Sequence, residues 1–301
     1  MKAQKDYVKK DIYQEITNKV IASIEKGVMP WACGWNKEGD FSLPVNFSTG
    51  SNYRGINVML LWMAQEVGGF SSPNWVTYKQ AIAQGGKVRK GEKGTGIIFY
   101  KQVTKETEEI NSNGDKKKEN YPMLKGFTVF NLDQIDGIDA PKKIVPGGAF
   151  SLLDEAEDLL TASGVKFNFC GTLAFYRPST DEITMPEKDR FKDARNYYAT
   201  AFHELTHATK KASRCDRKTF ETTIKKGAYA FEEVVADLGA AFCMGSLGMH
   251  GTVENHAVYI AGWLSVLKND KKAIFRASAQ AQKAHEWIEG QIIEKQTAKA
   301  A

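Results

Sequence analysis

The chain has 301 residues, of which 42% are hydrophobic and 26% charged, and its formal net charge is +5. This is the composition of a soluble globular protein with enough apolar material for two ordinary domains. Residues 1–14 lack the apolar segment of a signal peptide, and no apolar run reaches the length of a membrane span, so we expect a cytoplasmic protein with no membrane partner. The four cysteines form no C-x-x-C pair and indicate neither a disulfide framework nor a thiolate metal cluster.

The N-terminal segment from Asp6 to Lys26 has apolar residues at every fourth position, followed by Gly27 and Pro30. This spacing predicts an amphipathic helix, and we expect it to cover a sheet. From Trp31 to Phe130 the pattern changes to short apolar runs broken by Gly, Pro and Asn. The predicted strands there are Val76–Tyr78, Gly96–Tyr100 and Gly126–Phe130, and the predicted helices are Gly55–Glu66 and Tyr78–Gln84. The polar stretch from Val103 to Asn120 predicts a solvated loop or the tip of an extended hairpin.

A weakly apolar stretch with two Pro and three Gly, Asp136 to Gly148, is typical of an interdomain linker. We therefore predict domains at residues 1–138 and 149–301, joined by a linker at 139–148. Beyond the linker, the predicted elements are a helix from Ser151 to Ser163, strands Val165–Cys170, Leu173–Tyr176 and Glu182–Met185, and helices Ala194–Lys211, Ala228–Leu247, Val253–Leu267 and Lys271–Ile288. The predicted fold class is α+β, with an N-terminal α+β domain and a mostly helical C-terminal domain that contains a small antiparallel sheet.

The predicted helix from residue 194 carries the sequence His-Glu-Leu-Thr-His at positions 203–207. Two histidines four residues apart lie one turn apart on one helix face, where their neutral imidazoles can bind a single metal ion. Glu204 lies beside them and can act as the general base on water at that ion. The alternative is a surface helix with two unrelated histidines.

A second acidic helix favours the metal site, because Glu232, Glu233 and Asp237 fall in an otherwise apolar run, and carboxylates there are costly unless paired or metal-bound. Glu233 and Asp237 are four residues apart, so one can bind the metal while the other accepts the second N–H of a ligating histidine. We predict Glu233 as the ligand and Asp237 as the acceptor, leaving the other assignments of these three carboxylates open. Glu232 points about 100° away on the helix and is predicted to be solvated or structural.

Three protein ligands leave a position for water, which is the arrangement of a catalytic zinc site, although Mn²⁺ or another divalent ion would also fit. The predicted reaction is amide hydrolysis of a protein or peptide, with Glu204 moving the proton. Tyr259 and His256 are candidate donors to the transition state. The strand Glu182–Met185 could pair with an extended peptide substrate.

The window from Lys79 to Lys101 has six basic residues against Glu92 alone. Cations interleaved with aromatic residues suit single-stranded nucleic acid, whose bases stack on rings while cations follow the backbone. The candidate DNA-binding residues are Trp31, Trp35, Tyr53, Arg54, Trp75, Lys87, Arg89, Lys90 and Lys93. The alternatives are aromatic residues in the core, lysines in a solvated turn and a structural ion pair at Arg54. No Walker-type loop or dinucleotide fingerprint occurs, so we expect no nucleotide cofactor.

In the C-terminal half, three segments carry a family resemblance: Tyr197 to Thr209, Tyr229 to Glu233 and Glu254 to Leu264. In the N-terminal half, the corresponding segments are Pro30-Trp31, Pro44 to Asn46, Tyr53 to Asn57, Ser72 to Trp75, Gly85 to Gly94 and Thr128 to Asn131. Together these segments resemble the ArdC antirestriction family, whose C-terminal part is also called the polyvalent-protein zincin metallopeptidase domain. The resemblance implies an N-terminal domain that binds single-stranded DNA and a protein that protects incoming plasmid DNA from restriction during conjugation.

Two other functions are compatible with the same residues. A DNA-binding shield would protect DNA by occupancy alone, with a non-catalytic metal site. A repair peptidase would digest proteins bound or crosslinked to DNA, and its cleavage would be stimulated by DNA.

Overall fold

A computed structural model describes residues 11–27, 29, 42–110, 116–139, 154–224, 226–249 and 257–300. It confirms the predicted α+β class, with a sheet-containing N-terminal domain and a mostly helical C-terminal domain. Within these ranges, no helix is long and apolar enough to cross a bilayer. The predicted linker lies almost entirely outside the described residues, so the domain boundary stays a prediction.

The N-terminal domain is built on a five-stranded mixed sheet with the order β2-β1-β3-β6-β5. Strands β1 and β3 are parallel, and the other neighbours are antiparallel. A separate antiparallel ribbon joins β4 to β7. The helices are α1 (Ile12–Glu25), α2 (Ile56–Gly68) and α3 (Tyr78–Ala83); the strands are β1 (Val45–Asn46), β2 (Ser51–Asn52), β3 (Asn74–Thr77), β4 (Lys87–Val88), β5 (Thr95–Ile110), β6 (Lys116–Asn131) and β7 (Ile135–Asp136).

In the polar stretch predicted as a solvated loop or the tip of an extended hairpin, residues 103–110 and 116–120 belong to two paired strands, as the hairpin alternative required. Residues 111–115 lie outside the described residues. Strands β5 and β6 each have 16 residues and pair antiparallel along most of their length. The backbone pairing continues well past the compact apolar runs at Gly96–Tyr100 and Gly126–Phe130, which is why the apolar pattern located only the inner ends of both strands.

The C-terminal domain is mostly helical, as predicted, but its sheet is mixed rather than antiparallel. The strand order is β8-β10-β9, with β10 antiparallel to β9 and parallel to β8. The reason is that β10 returns between its two predecessors, so it runs in the direction of β8. The elements are α4 (Asp154–Ala162), β8 (Lys166–Phe169), β9 (Phe175–Arg177), β10 (Glu182–Met185), α5 (Ala194–Ala208), α6 (Gly227–Ser246), α7 (Ala257–Asn269) and α8 (Ala273–Ala300).

Helix α1 does not have the neighbour that was predicted for it. Asp11 caps the helix by accepting the N–H of Gln14, and the buried face includes Val20 and Ile24. This face packs mainly on helix α7, and the Thr17 hydroxyl donates to the carbonyl of Lys271 just before α8. Amphipathic spacing gives the apolar face of a helix but not the element that covers it.

The two domains share one apolar core. Buried residues of α1 and α2 belong to the same cluster as residues of α6, α7 and α8. Trp62 of α2 donates to the Ser42 carbonyl, and a Cβ placed on Gly245 of α6 would lie 2.9 Å from the Trp62 ring. The missing side chain at Gly245 therefore lets α6 approach the N-terminal domain closely.

A second core lies beneath helix α5. Tyr197, Phe202 and Leu205 of α5 pack with residues of β10 and α6, and all three are buried. Helix α5 is thus fixed between the three-stranded sheet and α6. This packing positions the histidine-bearing face of α5 between α6 and the sheet.

Candidate metal centre

The two histidines of α5 face each other as the spacing predicted. Their Nε2 atoms are 3.1 Å apart, and the planes of the two rings are nearly perpendicular, at 82°. His203 is buried and His207 is half-buried at the edge of the cleft. Two imidazole nitrogens this close can bind one ion when both rings are neutral.

Glu233 on α6 supplies the third donor group. Its two carboxylate oxygens lie 3.5 Å from His203 Nε2 and 3.6 Å from His207 Nε2. Tetrahedral coordination with bonds of about 2.0–2.1 Å requires donor atoms about 3.3–3.4 Å apart, so these residues fit a zinc-sized divalent ion. Within the part of the chain that the structure describes, these three residues form a group of potential metal ligands whose donor atoms all lie within 4.8 Å of one another.

Each histidine has its own carboxylate on the far side of the ring. Asp237 Oδ1 lies 2.9 Å from Nδ1 of His203, and Glu232 Oε1 lies 3.5 Å from Nδ1 of His207. Such carboxylates fix the ring orientation and keep Nε2 as the metal-binding atom. Asp237 thus lies beside the imidazole nitrogen it was predicted to accept from, but the N–H is not aligned for a hydrogen bond, so its role stays a prediction. Glu232 lies in the corresponding position beside the second histidine.

Glu232 is structural rather than solvated, because a buried arginine holds it. Arg217 contacts both carboxylate oxygens of Glu232 and also donates to the Thr206 carbonyl and the Thr209 hydroxyl. Its side chain is only 1% exposed. Arg217 thus ties the end of α5 to α6 directly behind the metal centre.

The electrostatics of the centre favour a cation. Burial lowers the pKa of His203, but the carboxylates of Asp237 and Glu233 outweigh this effect and raise it to about 10. Burial raises the pKa of Glu232, whereas His207 and Arg217 lower it to about 2. The negative field that holds a proton on His203 would equally stabilise a divalent ion.

Glu204 is positioned beside the centre without belonging to the ligand trio. It is buried, and its Oε2 accepts the backbone N–H of Tyr176 at 2.8 Å. That N–H lies on β9, the edge strand of the C-terminal sheet next to α5. The carboxylate is therefore anchored through one oxygen.

A cleft of about 1180 Å³ opens over these residues. One wall is β9 and the loop before it, and the opposite wall is α6 with Tyr229 and Glu233. The prediction that Glu182–Met185 pairs with a peptide is wrong, because that segment is β10, whose two edges are occupied by β8 and β9. Among the strands that the structure describes, β9 forms the sheet edge at the cleft, where the N–H of Tyr176 is taken by Glu204.

Tyr229 is a cleft residue that the sequence did not single out. Its side chain is 53% exposed, and it interacts with Glu233 one helical turn further along α6. The two predicted donors do not fall on described side chains: His256 lies outside the described residues, and of Tyr259 only the backbone within α7 is described.

Close packing of α5 on α6 brings the two halves of the centre together. At Gly239 a Cβ would lie 2.5 Å from Cγ2 and 2.6 Å from the hydroxyl of Thr206. Thr206 is fully buried, and its hydroxyl donates to the Phe202 carbonyl. The neighbouring side chain is short and fixed, so any side chain at Gly239 must push the two helices apart.

We expect Gly239→Ala to weaken metal binding and to lower the free energy of unfolding by about 1–3 kcal/mol, as overpacking does. Isothermal titration and urea unfolding measure the two effects. Thr206→Ala in the same background removes the two closest atoms and should restore metal affinity. Gly290→Ala on α8 is the control, since a Cβ there meets nothing within 4 Å. Unchanged metal affinity in Gly239→Ala would contradict the role of this contact.

Comparisons with known proteins agree with this geometry. Residues 10–130 match the model of the N-terminal domain of anti-restriction factor ArdC, and residues 154–280 match a zincin-like metallopeptidase model. The metal-free crystal structure of the antirestriction ArdC protein from the R388 plasmid is 37% identical in sequence to this chain, and the two superpose with a TM-score of 0.80. The match covers 95% of this chain and 99% of that protein. The chain belongs to the ArdC family.

Other relatives extend this result. The Mn(II)-bound structure of the same ArdC protein is also 37% identical, with a TM-score of 0.75, and the match covers 94% of this chain and 98% of that one. The protein y4eC of Sinorhizobium fredii is 35% identical over 93% of this chain and 92% of its own length. A DNA primase TraC of Escherichia coli is 38% identical over 98% of this chain, which spans only 29% of that relative.

Two of the four aromatic residues predicted to bind DNA, Tyr53 and Trp75, are part of the N-terminal core. Trp75 is 0% exposed and packs with Leu61 and Val129, so its prediction as a base-stacking residue is wrong. Tyr53 is half-buried against the same cluster, and burial raises the pKa of its hydroxyl to about 12. Trp31 and Trp35 lie outside the described residues.

The predicted cations are exposed, but two of them have structural partners. Arg54 forms an ion pair with Glu286 of α8, and Arg89 pairs with Glu92 and Asp136. The remaining three predicted cations are exposed around the turn that precedes β5: Lys87, Lys90 and Lys93. Their assignment to DNA stays a prediction.

Proposed function

We propose that this ArdC-family protein binds single-stranded DNA through its N-terminal domain and hydrolyses peptide bonds at a divalent-metal centre in its C-terminal domain. In this proposal it protects incoming plasmid DNA from restriction during conjugation. The observation that carries the peptidase half is the convergence of His203, His207 and Glu233, with Glu204 beside them in an open cleft.

The three donor groups suit Zn²⁺, and the Mn(II)-bound structure of a relative supports a divalent ion of this size. An ion held by these groups would polarise the carbonyl of a bound peptide. Asp237 and Glu232 keep the two imidazoles oriented, and the buried position of Glu233 excludes bulk water from one side of the centre.

Proton transfer falls to Glu204. The N–H of Tyr176 anchors one carboxylate oxygen, so the other is free to take a proton from the attacking water and deliver it to the leaving amine. Tyr229, exposed in the cleft beside Glu233, is placed to donate a hydrogen bond to the developing oxyanion. An extended peptide can lie along β9 and the loop before it, which line the cleft.

The DNA-binding half is supported by the match of residues 10–130 to the ArdC N-terminal domain and by the exposed lysines before β5. The exposed cations would contact phosphates, an interaction that weakens as salt rises. The metal centre belongs to the other domain. Removal of the ion should therefore leave DNA binding largely unchanged.

The test uses purified protein loaded with one equivalent of Zn²⁺ or Mn²⁺. We expect hydrolysis of an unfolded protein such as casein, its loss on chelation and its return when metal is restored. Fluorescence anisotropy should show salt-sensitive binding of a labelled oligothymidylate both before and after chelation. Stoichiometric metal without hydrolysis in any condition, including with DNA present, would instead support a shield that protects by occupancy.

A further inference from the structure

One part of the β5–β6 hairpin leaves a sheet face uncovered. In the register of the two strands, Ile97 pairs with Phe127 and Phe99 pairs with Lys125, so these side chains share one face. At the inner end, this face is covered by α2, where Ile97 packs with Leu61. Further out, Phe99 is 52% and Phe127 39% exposed.

The opposite face of the hairpin is covered around Ile98, although Tyr100 on that face is 55% exposed. Ile98 is buried and Leu124 packs beside it in the large apolar cluster shared by the two domains. The side chain of Asn57 also bonds both the N–H and the carbonyl of Ile98 at the strand edge. The hairpin is therefore held firmly on one side, while the other side exposes aromatic rings to solvent.

The exposed rings form an ordered group with a cation. The Phe99 and Phe127 centroids are 6.2 Å apart with their planes nearly perpendicular, and Lys125 Nζ lies 5.2 Å from the Phe127 centroid. Between Gly94 and Tyr100 and between Met123 and Asn131, Lys125 is the only charged residue. A ring surface with a positive charge and no acidic residue in these two segments complements a polyanion with flat apolar groups.

We propose that this surface, formed by Phe99, Phe127, Met123 and Lys125 and named here the hairpin platform, stacks the bases of single-stranded DNA. This proposal rests on the proposed DNA-binding function. In it, the hairpin platform takes the base-stacking role that was predicted for the buried Trp75. Exposed aromatic residues provide base stacking without sequence readout, while the lysine contacts the phosphate backbone.

The charges next to the hairpin platform favour DNA as its ligand over an acidic or apolar protein. The chain enters β5 from the turn that carries the exposed Lys87, Lys90 and Lys93. The acidic residue of that turn, Glu92, is held by Arg89 and by the side-chain amide of Gln134. A strand that stacks on the platform can therefore extend toward exposed cations.

The experiment compares a labelled oligothymidylate of about 15 nucleotides with an abasic strand of the same length. Wild type should bind the thymidylate about tenfold or more tightly, because stacking requires bases. Phe99→Ala/Phe127→Ala should bind both strands equally, at the abasic level. Lys125→Gln should keep the base preference and reduce the salt slope by about one.

The matched control is Tyr78→Ala. Tyr78 is 56% exposed in the same domain but contacts Phe130 on the opposite face of the sheet, so its loss should leave the base preference intact. Phe99→Leu/Phe127→Leu keeps an apolar surface without rings and should also lose the preference. Circular dichroism verifies folding of each variant.

Three outcomes would overturn these ideas separately. If wild type binds neither strand, the proposed DNA-binding function fails. If the double alanine variant keeps its preference for bases, DNA binding stands but the platform proposal is wrong. If light scattering shows a wild-type dimer that the double variant loses without any change in DNA affinity, the platform joins two copies of the chain.

Discussion

Glu204→Gln is expected to lower the rate of metal-dependent peptide hydrolysis by about 10²–10⁴-fold, the range that general acid–base catalysis contributes. Glutamine cannot take the proton of the attacking water, but its amide oxygen can still accept the N–H of Tyr176. Because Glu204 is not one of the converging donor groups, metal affinity should change little. Initial rates on unfolded casein and metal content by mass spectrometry measure the two quantities.

Two further variants make this result interpretable. Glu155→Gln on the exposed side of α4 is the matched control and should leave both rate and metal content unchanged. Glu233→Gln should lose metal and activity together, since it replaces a negatively charged donor group by a neutral, weaker one. Full hydrolysis by Glu204→Gln would contradict the proposed general base. Antirestriction that survives in cells carrying Glu204→Gln, with hydrolysis lost, would separate protection from proteolysis.

The metal centre was predictable because the spacing of its ligands along each helix places them on one face. Two histidines four residues apart on one helix, and two carboxylates four residues apart on another, each fix a common face before tertiary structure is known. The choice among Glu232, Glu233 and Asp237 required the packing of α5 on α6. That packing depends on Gly239 and Thr206, a contact between distant positions with no spacing signal in the sequence.

Arg217 and Tyr176 were beyond sequence reasoning for a related reason. Both reach the centre from loops or strands whose place is set by the tertiary fold, one through its guanidinium and the other through its backbone N–H. An isolated arginine followed by lysine is indistinguishable from a solvated pair in the sequence. Only its burial against Glu232 gives it a role.

The prediction of the DNA-binding surface was wrong at Trp75, where it relied on composition alone. Aromatic residues near basic residues were assigned to the surface, yet Trp75 lies on a strand whose inward face is set by the sheet register. In the same register, Phe99 and Phe127 lie on a part of the sheet face that extends beyond the end of α2 and is exposed to solvent. Alternation places residues on a face, but which face is covered depends on the position of a helix elsewhere in the chain.

Arg217→Met is expected to lower the free energy of unfolding by about 3–5 kcal/mol, because it leaves a buried carboxylate without its partner. Glu232 would keep only the half-exposed Lys210, at 3.7 Å, and His207 near its oxygens. Methionine fills much of the volume of the arginine stem, so the decrease in the free energy of unfolding comes mainly from the unpaired charge of Glu232. Urea unfolding followed by circular dichroism, in chelator to exclude linkage to metal, measures the effect.

Adding Glu232→Gln to Arg217→Met should recover most of that loss, since it removes the unpaired charge while an amide oxygen remains to accept from Nδ1 of His207. Lys218→Met is the matched control: Lys218 pairs with Asp216 next to Arg217 in sequence, but both side chains are exposed, so the cost should stay below about 1 kcal/mol. If Arg217→Met costs no more than Lys218→Met, or if Glu232→Gln fails to rescue it, the buried pair does not hold the end of α5 against α6. The orientation of His207 would then have to be set by Glu232 alone.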